Sequence, residues 1–258
     1  MGRIDVVLDG GVLTIGLNRP DKLNGLSPEM IDALARAYQK LEDEPEARCA
    51  LLYAVGPNFT AGIDLARIAP RLAKGERLFP LGIVDPLNMR KPLRTKPVVV
   101  AVQGLCYTIG IELMLAADVV IAASDTRFTQ IEVRRGIMTG GGPTFRMVDR
   151  AGWGNAMRWL LTGDEFDAQT AHRLGFVQEI VEPGLQYAHA LELARRIASR
   201  APLAVQATMA NARLAVHEGP DAAISSLGPA MTELLATEDA KEGVRSFVEK
   251  REAHFQGR

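Results

Sequence analysis

Residues 97–113 read Pro97-Val98-Val99-Val100-Ala101-Val102-Gln103-Gly104-Leu105-Cys106-Tyr107-Thr108-Ile109-Gly110-Ile111-Glu112-Leu113. The stretch opens with a continuous apolar run, which is typical of a strand buried on both faces. Gly104 and Gly110 then bracket a turn, and a helix is predicted to begin near Ile109. A buried strand that leads through a glycine turn into a helix predicts an α/β fold.

A carboxylate lies in the apolar part of that predicted helix. Glu112 stands between Ile111 and Leu113, where an unpaired charge is expensive to bury. A second glutamate follows in Phe128-Thr129-Gln130-Ile131-Glu132-Val133-Arg134-Arg135-Gly136. Two carboxylates that face one pocket can share a water molecule and divide the acid and base roles between them. Taken alone, helix capping or ion pairing is the more common explanation for each glutamate.

Local signals on the N-terminal side predict regular elements. The turn signal Asp9-Gly10-Gly11 separates two strand-like runs, residues 6–8 and 12–17, which predicts an opening hairpin. Ser27-Pro28-Glu29 begins a helix in N-cap and first-turn order, and Pro45 ends it. Strands are also predicted around residue 51 and over residues 118–123.

The remaining segments are a long irregular stretch and a helical C-terminal part. Residues 66–96 carry several prolines and predict a helix fragment followed by a long surface loop. The basic run Arg90-Lys91-Pro92-Leu93-Arg94-Thr95-Lys96 is interpreted mainly as a solvated loop, with phosphate binding as the alternative. After about residue 140 the pattern is mostly helical, apart from a short strand near residues 177–181. An α/β core with a helical C-terminal part follows.

Composition excludes several classes of function. The 258 residues carry a formal net charge of −1, with 47% hydrophobic and 24% charged residues, as in an ordinary globular protein. Neither nucleic acid nor a membrane is an expected partner, because the charge is near neutral and no apolar run is long enough to span a bilayer. Two distant cysteines, Cys49 and Cys106, and a start without signal-peptide character favour a cytoplasmic location. No metal-binding pattern or dinucleotide fingerprint occurs, so no metal or redox cofactor is expected.

Three motifs, in order along the chain, carry a resemblance to a known family. The first is Asn18-Arg19-Pro20-Asp21-Lys22-Leu23-Asn24-Gly25-Leu26, the second is Asn58-Phe59-Thr60-Ala61-Gly62-Ile63-Asp64-Leu65, and the third is the glycine turn and helix of residues 104–113. The chain resembles the enoyl-CoA hydratase (crotonase) superfamily in these motifs. The resemblance continues through Leu161-Thr162-Gly163-Asp164 to the closing helices and so covers nearly the whole chain.

The resemblance implies a fold that pattern alone does not yield. It is an α/β crotonase-like spiral of ββα units with a C-terminal helical trimerisation region. Residues 1–200 are then expected to form the spiral core. Residues 201–258 are expected to pack on that core and on neighbouring subunits in a homotrimer or homohexamer. The implied partner is an acyl-CoA thioester substrate, and no separate cofactor is implied because coenzyme A is part of that substrate.

The resemblance also implies which residues act. The backbone N–H groups of Ile63 and Ile109 correspond to the oxyanion hole, which stabilises negative charge on the thioester oxygen. Glu112 and Glu132 correspond to the two catalytic carboxylates. Glu132 is expected to be the main acid/base, and Glu112 is expected to orient and activate the same water. Substrate and coenzyme A are expected to contact Leu23, Asn24, Thr60, Ala61, Gly62, Asp64, Leu65 and Gly110.

Retention of both glutamates favours one reaction of the family. Hydratases of fatty acid metabolism convert a trans-2-enoyl-CoA to a 3-hydroxyacyl-CoA and need a second carboxylate to hold water, whereas isomerases only shuttle a proton. An enoyl-CoA isomerase, or another crotonase-type reaction at the same oxyanion hole, is the first alternative. A non-catalytic acyl-CoA-binding or RNA-binding protein is the second, and both the near-neutral charge and the two glutamates disfavour it.

The chain departs from the family pattern at several positions around the expected pocket. Thr108 and Ile109 stand where the family usually has glycines, and Ile131 replaces a common proline. Met138-Thr139 stands where the family often has an apolar residue and proline, and Pro143 interrupts the following glycine run. A β-branched residue resists positive φ, so Ile109 is expected to be constrained and to narrow the space near the thioester. These departures predict an altered acyl pocket on an unaltered fold.

Overall fold

A computed structural model describes residues 2–258, which form two β-sheets. The strands are β1 (Arg3–Asp9), β2 (Val12–Asn18), β3 (Cys49–Ala54), β4 (Val98–Val102), β5 (Leu105–Tyr107), β6 (Val119–Ala123), β7 (Arg127–Thr129), β8 (Phe166–Asp167) and β9 (Glu179–Val181). The larger sheet has the order β1-β2-β3-β4-β6-β9, and the smaller has the order β5-β7-β8. The pairs β1–β2 and β7–β8 are antiparallel, and all other neighbouring strands in these residues are parallel.

Helices cover the sheets and form the C-terminal part. They are α1 (Pro28–Asp43), α2 (Leu65–Leu72), α3 (Ile109–Ala116), α4 (Pro143–Ala151), α5 (Trp153–Leu160), α6 (Ala168–Arg173), α7 (Gln186–Ala198), α8 (Pro202–Glu218), α9 (Pro220–Leu235) and α10 (Glu238–Glu249). α1 begins as predicted, since Pro28 is its first residue and the Ser27 hydroxyl accepts the Met30 N–H at 3.3 Å. Within residues 2–258, none of the helices combines the length and apolar character needed to cross a membrane.

Successive turns of the chain alternate between the two sheets. β4 in the larger sheet leads to β5 in the smaller sheet and then to α3, and β6 and β7 repeat this step before α4. Main-chain pairing stacks the turns on one another, because Cys106 pairs with Phe128 and Phe128 pairs with Phe166. The rings of Phe128 and Phe166 also stack, with centroids 5.4 Å apart. This repeated winding confirms the spiral of ββα units that the family resemblance implied.

The strands predicted from pattern are those of the larger sheet. Every residue of β4 is buried, as its apolar run predicts, and α7 packs against one face of the sheet through Ala190 and Ala194. The pairing of Leu8 with Leu13 confirms the opening hairpin, and β9 confirms the late short strand. The smaller sheet was not predicted. Its strands have only two or three residues each, which is too short for a periodic pattern to be visible.

The prediction of a surface loop over residues 66–96 is wrong in part. α2 confirms the helix fragment, but Phe79, Val84 and Leu87 beyond it lie in the main core.

The basic run is a solvated loop only in part, because Lys91, Leu93 and Thr95 are exposed whereas Arg94 and Lys96 are buried. Arg94 is 2% exposed, and its guanidinium donates to both carboxylate oxygens of Asp118 at 2.6 and 2.9 Å. It also donates to the backbone carbonyl oxygens of Lys96 and Ala116, so it fastens the loop to the start of β6. Its remaining N–H, on Nε, has no partner but is buried, so it is not exposed to a phosphate group.

α8, α9 and α10 form the C-terminal helical part. α8 has no buried residue along its length, and the only buried residue of α9 is Ala223. Large apolar side chains are exposed on all three helices at Val216, Ile224, Leu227, Met231, Leu235, Val244, Phe247 and Val248. α8 also contacts the loop before β4: the Arg213 guanidinium donates to the Arg94 carbonyl oxygen at 2.5 Å. The division after residue 200 and the packing on neighbouring subunits stay predictions.

The burial of Arg94 leads to a test of stability. Asp118→Ala is expected to lower the free energy of unfolding by about 3 kcal/mol or more, because it leaves the guanidinium buried without its counter-charge. The substitution also removes the acceptor of the Val98 N–H. Urea denaturation measures the loss. The control is Asp9→Ala, which breaks the exposed pair with Arg195 and is expected to cost much less. Equal losses in the two variants would contradict the anchoring role of Arg94.

Candidate active site

Two chain segments run side by side where the larger sheet passes into the smaller one. The Thr60 N–H donates to the Leu105 carbonyl oxygen at 2.9 Å, and the Tyr107 N–H donates back to the Thr60 carbonyl oxygen at 3.0 Å. Each segment then continues for a few residues, one to Ile63 and the other to Ile109. Both of these residues line one cavity of about 770 Å³. The pairing therefore brings to one place two backbone groups that are distant in sequence.

The Ile63 and Ile109 amides have no protein acceptor among residues 2–258. Ile109 is the first residue of α3, where an N–H has no carbonyl oxygen one turn earlier in the helix. Ile63 bridges to Leu26, but the bonds run through its neighbours: Leu26 donates to the Gly62 oxygen at 2.9 Å and Asp64 donates to the Leu26 oxygen at 2.8 Å. The Ile63 N–H therefore points away from Leu26. Two unpaired amides on a rigid backbone are what an oxyanion hole requires.

A strained residue precedes Ile109. Thr108 has φ 50° and ψ −111°, a conformation that favours glycine and is costly for a β-branched residue. The expectation that Ile109 is the constrained residue is wrong, because Ile109 lies in the first turn of α3 and the positive φ falls one residue earlier. Gly62, with φ 122°, faces the strained residue: a Cβ added to it would lie 2.7 Å from the Thr108 hydroxyl oxygen. Only glycine fits there.

Glu112 is held from outside its own helix. It is 6% exposed, and every other residue of α3 is buried as well. Its Oε1 accepts hydrogen bonds from the Thr139 hydroxyl at 2.5 Å and from the Gly141 N–H at 2.7 Å. Burial raises the pKa of Glu112, while these donors and the charge of Arg146 act in the opposite direction. Hydrogen bonds rather than an ion pair support the carboxylate.

Glu132 has a different environment. It begins a short 3-10 turn, Glu132–Arg135, that follows β7. Its Oε2 is buried and has no hydrogen-bond partner in residues 2–258. Burial raises the pKa of Glu132 to about 7, and the charge of Glu112 adds to the rise. Near neutral pH this carboxyl group can therefore either give or take a proton.

The rest of the cavity wall is mainly apolar. It includes Leu72, Leu78, Phe79, Leu87, Met89, Ile137 and Met138. Asp85 and Arg90 form an ion pair at 3.0 Å within this wall, and Arg146 donates to the carbonyl oxygens of Leu87 and Gly141 behind it. A wall of this composition suits a hydrocarbon group, with a few polar groups to fix its orientation.

The structure separates the predicted binding residues into two groups. Ala61, Gly62 and Leu65 line the cavity, whereas Leu23, Asn24, Thr60, Asp64 and Gly110 are not among its lining residues. Asn24 is fully buried, and its amide donates to the carbonyl oxygens of Val55 and Asn58. The Thr60 hydroxyl donates to the Asn24 carbonyl oxygen at 2.8 Å and accepts the Gly62 N–H at 3.1 Å. Asn24 and Thr60 thus hold the loop that ends at Ile63, and contact of this second group with coenzyme A stays a prediction.

Comparison with known proteins agrees with this architecture. The family model for enoyl-CoA hydratase/isomerase matches residues 8–258. The chain belongs to this family. A probable enoyl-CoA hydratase/isomerase from Mycobacterium abscessus has a solved structure that is 49% identical, with a TM-score of 0.95 over 99% of this chain and 98% of that one. This match confirms the crotonase fold.

Curated members of the family differ in the reactions for which they are named. An enoyl-CoA hydratase of Mycobacterium tuberculosis is 32% identical over 96% of this chain and 94% of its own length. A 1,2-epoxyphenylacetyl-CoA isomerase of Escherichia coli K12 is 30% identical over 97% of each chain. Family membership therefore fixes the class of protein and leaves the choice of reaction to the site itself.

The residues that hold Glu112 were not predicted from the sequence. Thr139 was noted only as a departure expected to reshape the acyl pocket, and its hydroxyl instead bonds to the Glu112 carboxylate. Gly141 was not singled out, yet a Cβ added there would lie 2.2 Å from Glu112 Oε2. The family motifs contain no signal for either contact, because the loop that carries both residues reaches Glu112 only in the folded chain.

The close approach of Gly141 to Glu112 leads to a second prediction. Gly141→Ala is expected to displace the buried carboxylate and to cost about 1–3 kcal/mol of stability through the lost hydrogen bond. Thermal unfolding measures the loss, and a crystal structure of the variant shows the displacement. Gly154→Ala in α5 is the control, because nothing lies within 4 Å of its added Cβ and alanine favours a helix. A Gly141→Ala protein as stable as this control would contradict the assigned contact.

Proposed function

We propose that this protein is an enoyl-CoA hydratase, a lyase that adds water across the double bond of a trans-2-enoyl-CoA to give a 3-hydroxyacyl-CoA. The observation that carries the proposal is that Glu112 and Glu132 line the same cavity as the unpaired amides of Ile63 and Ile109. Hydration of a conjugated thioester needs donors at the thioester oxygen and groups that hold and deprotonate water. The cavity supplies both.

The amides act on the thioester carbonyl. As the oxygen of water bonds to C3, the electrons of the C2–C3 double bond move onto the thioester oxygen and form an enolate. The N–H groups of Ile63 and Ile109 stabilise that charge, and each such donor typically contributes about 10² to 10³ in turnover. α3 begins at Ile109, so its positive end faces the same oxygen.

The carboxyl groups act on the water. Glu132, whose pKa is about 7, is the main acid/base and moves a proton between the water and C2. A positioned group of this kind contributes about 10² to 10⁴ in rate. Glu112, fixed by Thr139 and Gly141, orients and activates the same water. Protonation of C2 collapses the enolate and releases the 3-hydroxyacyl thioester.

The substrate supplies the only coenzyme that this reaction needs. Coenzyme A enters as part of the thioester, and the acyl chain packs against the apolar wall around Phe79, Leu87 and Met138. Ala61, Gly62 and Leu65 lie on the path of the thioester toward the two amides. These contacts suit a fatty or other apolar acyl group.

An isomerase is the alternative, and the similarity to the 1,2-epoxyphenylacetyl-CoA isomerase favours testing it. An isomerase moves a proton between two carbon atoms, which requires Glu132 but no bound water molecule. Isomerisation therefore does not explain why the Glu112 carboxylate is held in a fixed position. A non-catalytic acyl-CoA-binding or RNA-binding role leaves the buried carboxylate of Glu112 and the half-buried carboxyl group of Glu132 unexplained. The net charge of −1 also gives no attraction for RNA.

Crotonyl-CoA tests the proposal directly. Wild-type protein is expected to remove the conjugated-thioester absorbance and to form 3-hydroxybutyryl-CoA. Glu132→Gln is expected to lower turnover by about 10² or more, because the acid/base group is lost. The thermal stability of this variant above pH 7 should be equal to that of the wild type or higher, since ionising a half-buried carboxyl group whose pKa is raised destabilises the folded state. The control is Glu46→Gln, an exposed glutamate outside the cavity.

Two results contradict the hydratase assignment. One is the absence of hydration across short, long and aromatic enoyl-CoA thioesters. The other is double-bond migration that survives in Glu112→Gln while no wild-type hydration occurs, which favours the isomerase. Loss of folding in Glu132→Gln would remove the evidence for a catalytic role of that residue.

We also propose that residues 201–258 make the contacts of a homotrimer or homohexamer. Ile224, Leu227, Met231 and Leu235 are spaced at three and four residues, so they share one face of α9, and each is at least half exposed. Monomers rarely expose so continuous an apolar surface. The face is therefore expected to be covered by another copy of the chain.

Sedimentation equilibrium measures this assembly. The expected mass is three or six times that of the 28.0 kDa chain. Leu227→Glu places a charge in the exposed apolar face and is expected to shift the protein toward smaller species. Val7→Glu changes an exposed apolar residue on β1 and is expected to leave the mass unchanged. A monomeric wild-type protein would overturn the proposal.

A further inference from the structure

The Arg146 guanidinium joins two segments of the cavity wall that are distant in sequence. Its Nη2 donates to the Leu87 carbonyl oxygen at 2.6 Å, and its Nη1 donates to the Gly141 carbonyl oxygen at 3.1 Å. Leu87 and Gly141 both line the cavity, one from the irregular segment of residues 66–96 and the other from the loop before α4. Since Arg146 belongs to α4, both segments are attached to the same helix.

On the side of Gly141, this connection reaches the Glu112 carboxylate. The Gly141 N–H donates to Glu112 Oε1 at 2.7 Å, while Arg146 holds the carbonyl oxygen of the same residue. Gly141 is buried and lies directly against the carboxylate, since an added Cβ would lie 2.2 Å from Glu112 Oε2. A movement of Gly141 therefore displaces a donor of the Glu112 carboxylate.

On the side of Leu87, the connection reaches the apolar wall. The Leu87 N–H donates to Asp85 Oδ1 at 3.0 Å, and Asp85 Oδ2 accepts from Arg90 Nε at 3.0 Å. Arg90 also donates to the Phe79 carbonyl oxygen at 3.4 Å. Asp85 is 2% exposed, so water has little access to the carboxylate that holds these groups together. The backbone of Phe79 and that of Leu87 thus belong to one hydrogen-bonded frame.

The contacts form one continuous path from the apolar wall to Glu112. Coupling between two parts of a protein is carried by packed side chains and hydrogen-bond networks of this kind. Phe79 and Leu87, at one end of the path, line the cavity on the wall assigned to the acyl group, and Glu112 lines it at the other end. The acyl part of crotonyl-CoA has a single methyl group beyond its double bond, which is too small to fill a wall of several apolar side chains.

We infer that Arg146 is a positioning residue that couples occupation of the apolar wall to the position of the Glu112 carboxylate, so that longer apolar acyl groups are turned over faster. The inference rests on the proposed function and adds a substrate class, enoyl-CoA thioesters with a chain longer than that of crotonyl-CoA. Binding energy from the distant part of the chain then fixes Glu112 and appears in kcat. Arg146 is not among the lining residues, so it acts through Leu87 and Gly141.

The charge of Arg146 has an effect of its own on Glu112. Burial lowers the pKa of Arg146 to about 10, so the guanidinium is still ionised at neutral pH, and its charge favours the ionised form of Glu112. A lysine keeps this charge but lacks the rigid planar fork that donates to two carbonyl oxygens at once. Arg146→Lys therefore distinguishes the bridge from the charge.

Turnover of a series of chain lengths tests the coupling. For each protein, kcat and KM are measured with crotonyl-CoA and with the trans-2-enoyl thioesters of hexanoic, octanoic and decanoic acid chains. The variants are Arg146→Met, which keeps an unbranched side chain without donors, and Arg146→Lys. The control is Arg158→Met, because Arg158 is exposed, pairs with Asp164 and lies outside the cavity.

The expected result is a loss of the chain-length dependence of kcat. In the wild type and in Arg158→Met, kcat rises with chain length until the wall is filled. In both Arg146 variants the rise is lost, and kcat for the longest thioester is about tenfold below that of the wild type, because a donor of the carboxylate is misplaced. KM still falls with chain length in every protein, since the apolar wall remains.

Two kinetic results would overturn the inference. One is a rise of kcat with chain length that survives in Arg146→Met. The other is an Arg146→Lys protein that behaves as the wild type beside an impaired Arg146→Met, which would assign the effect to charge.

Hydrogen exchange without turnover separates this inference from the proposed function and needs only the wild-type protein if the variants fail to fold. Butyryl-CoA and decanoyl-CoA have no double bond to hydrate, and exchange of the Gly141 amide is followed by NMR with each bound at saturation. Decanoyl-CoA is expected to slow this exchange about tenfold more than butyryl-CoA, because filling the wall fixes the loop. Equal exchange with the two thioesters in a hydrating enzyme would overturn the inference alone. Selective slowing by decanoyl-CoA in a protein that hydrates no enoyl-CoA would overturn the proposed function and support the coupling.

Discussion

The backbone pairing of Thr60 with Leu105 and Tyr107 is the constraint on which the site depends. These hydrogen bonds are made by peptide groups, so they do not rely on side-chain identity beyond what the local backbone tolerates. Since Ile63 and Ile109 each lie a few residues beyond the paired part, their amides reach the same cavity whatever side chains line it. The position of the two amides that the proposed function uses as donors therefore depends on this pairing and not on the side chains of the apolar wall.

Local chemistry made the larger sheet and the first helix predictable from the sequence. The apolar run of β4 and the Ser27 cap of α1 each act within a few residues of chain. The smaller sheet was not predictable in this way, because a strand such as β8, with two residues, is defined by its partners and not by its own pattern. The role of Arg94 was likewise not predictable from the local sequence. Arg94 lies in a basic run that looks solvated, and only the folded chain reveals its pairing with Asp118.

The residues of the site were also predictable only in part. Motifs of the family singled out Ile63, Ile109, Glu112 and Glu132, and all four line one cavity, while their roles stay predictions. Motifs do not distinguish a residue that touches the cavity from one that holds the loop behind it, so the buried side chain of Asn24 was placed with the binding residues. They also say nothing about Thr139, since a departure from a family pattern carries no indication of what the new side chain contacts.

At positions 108 and 109, where the chain departs from the family pattern, the structure differs from what the sequence predicts. Thr108 takes a conformation that costs about 1–3 kcal/mol for a residue of its type. Its N–H bonds to the Thr129 oxygen at 2.9 Å and its carbonyl oxygen accepts from Glu112 at 3.1 Å, so β7 and α3 hold it in place. The side chain of Ile109 is 2% exposed and packs in the main core, which limits how far its bulk can intrude on the thioester. The cavity that the proposed function assigns to the acyl group is bounded instead by the apolar wall that includes Phe79. Much of that wall comes from residues 66–96, the irregular segment that the sequence pattern describes least well.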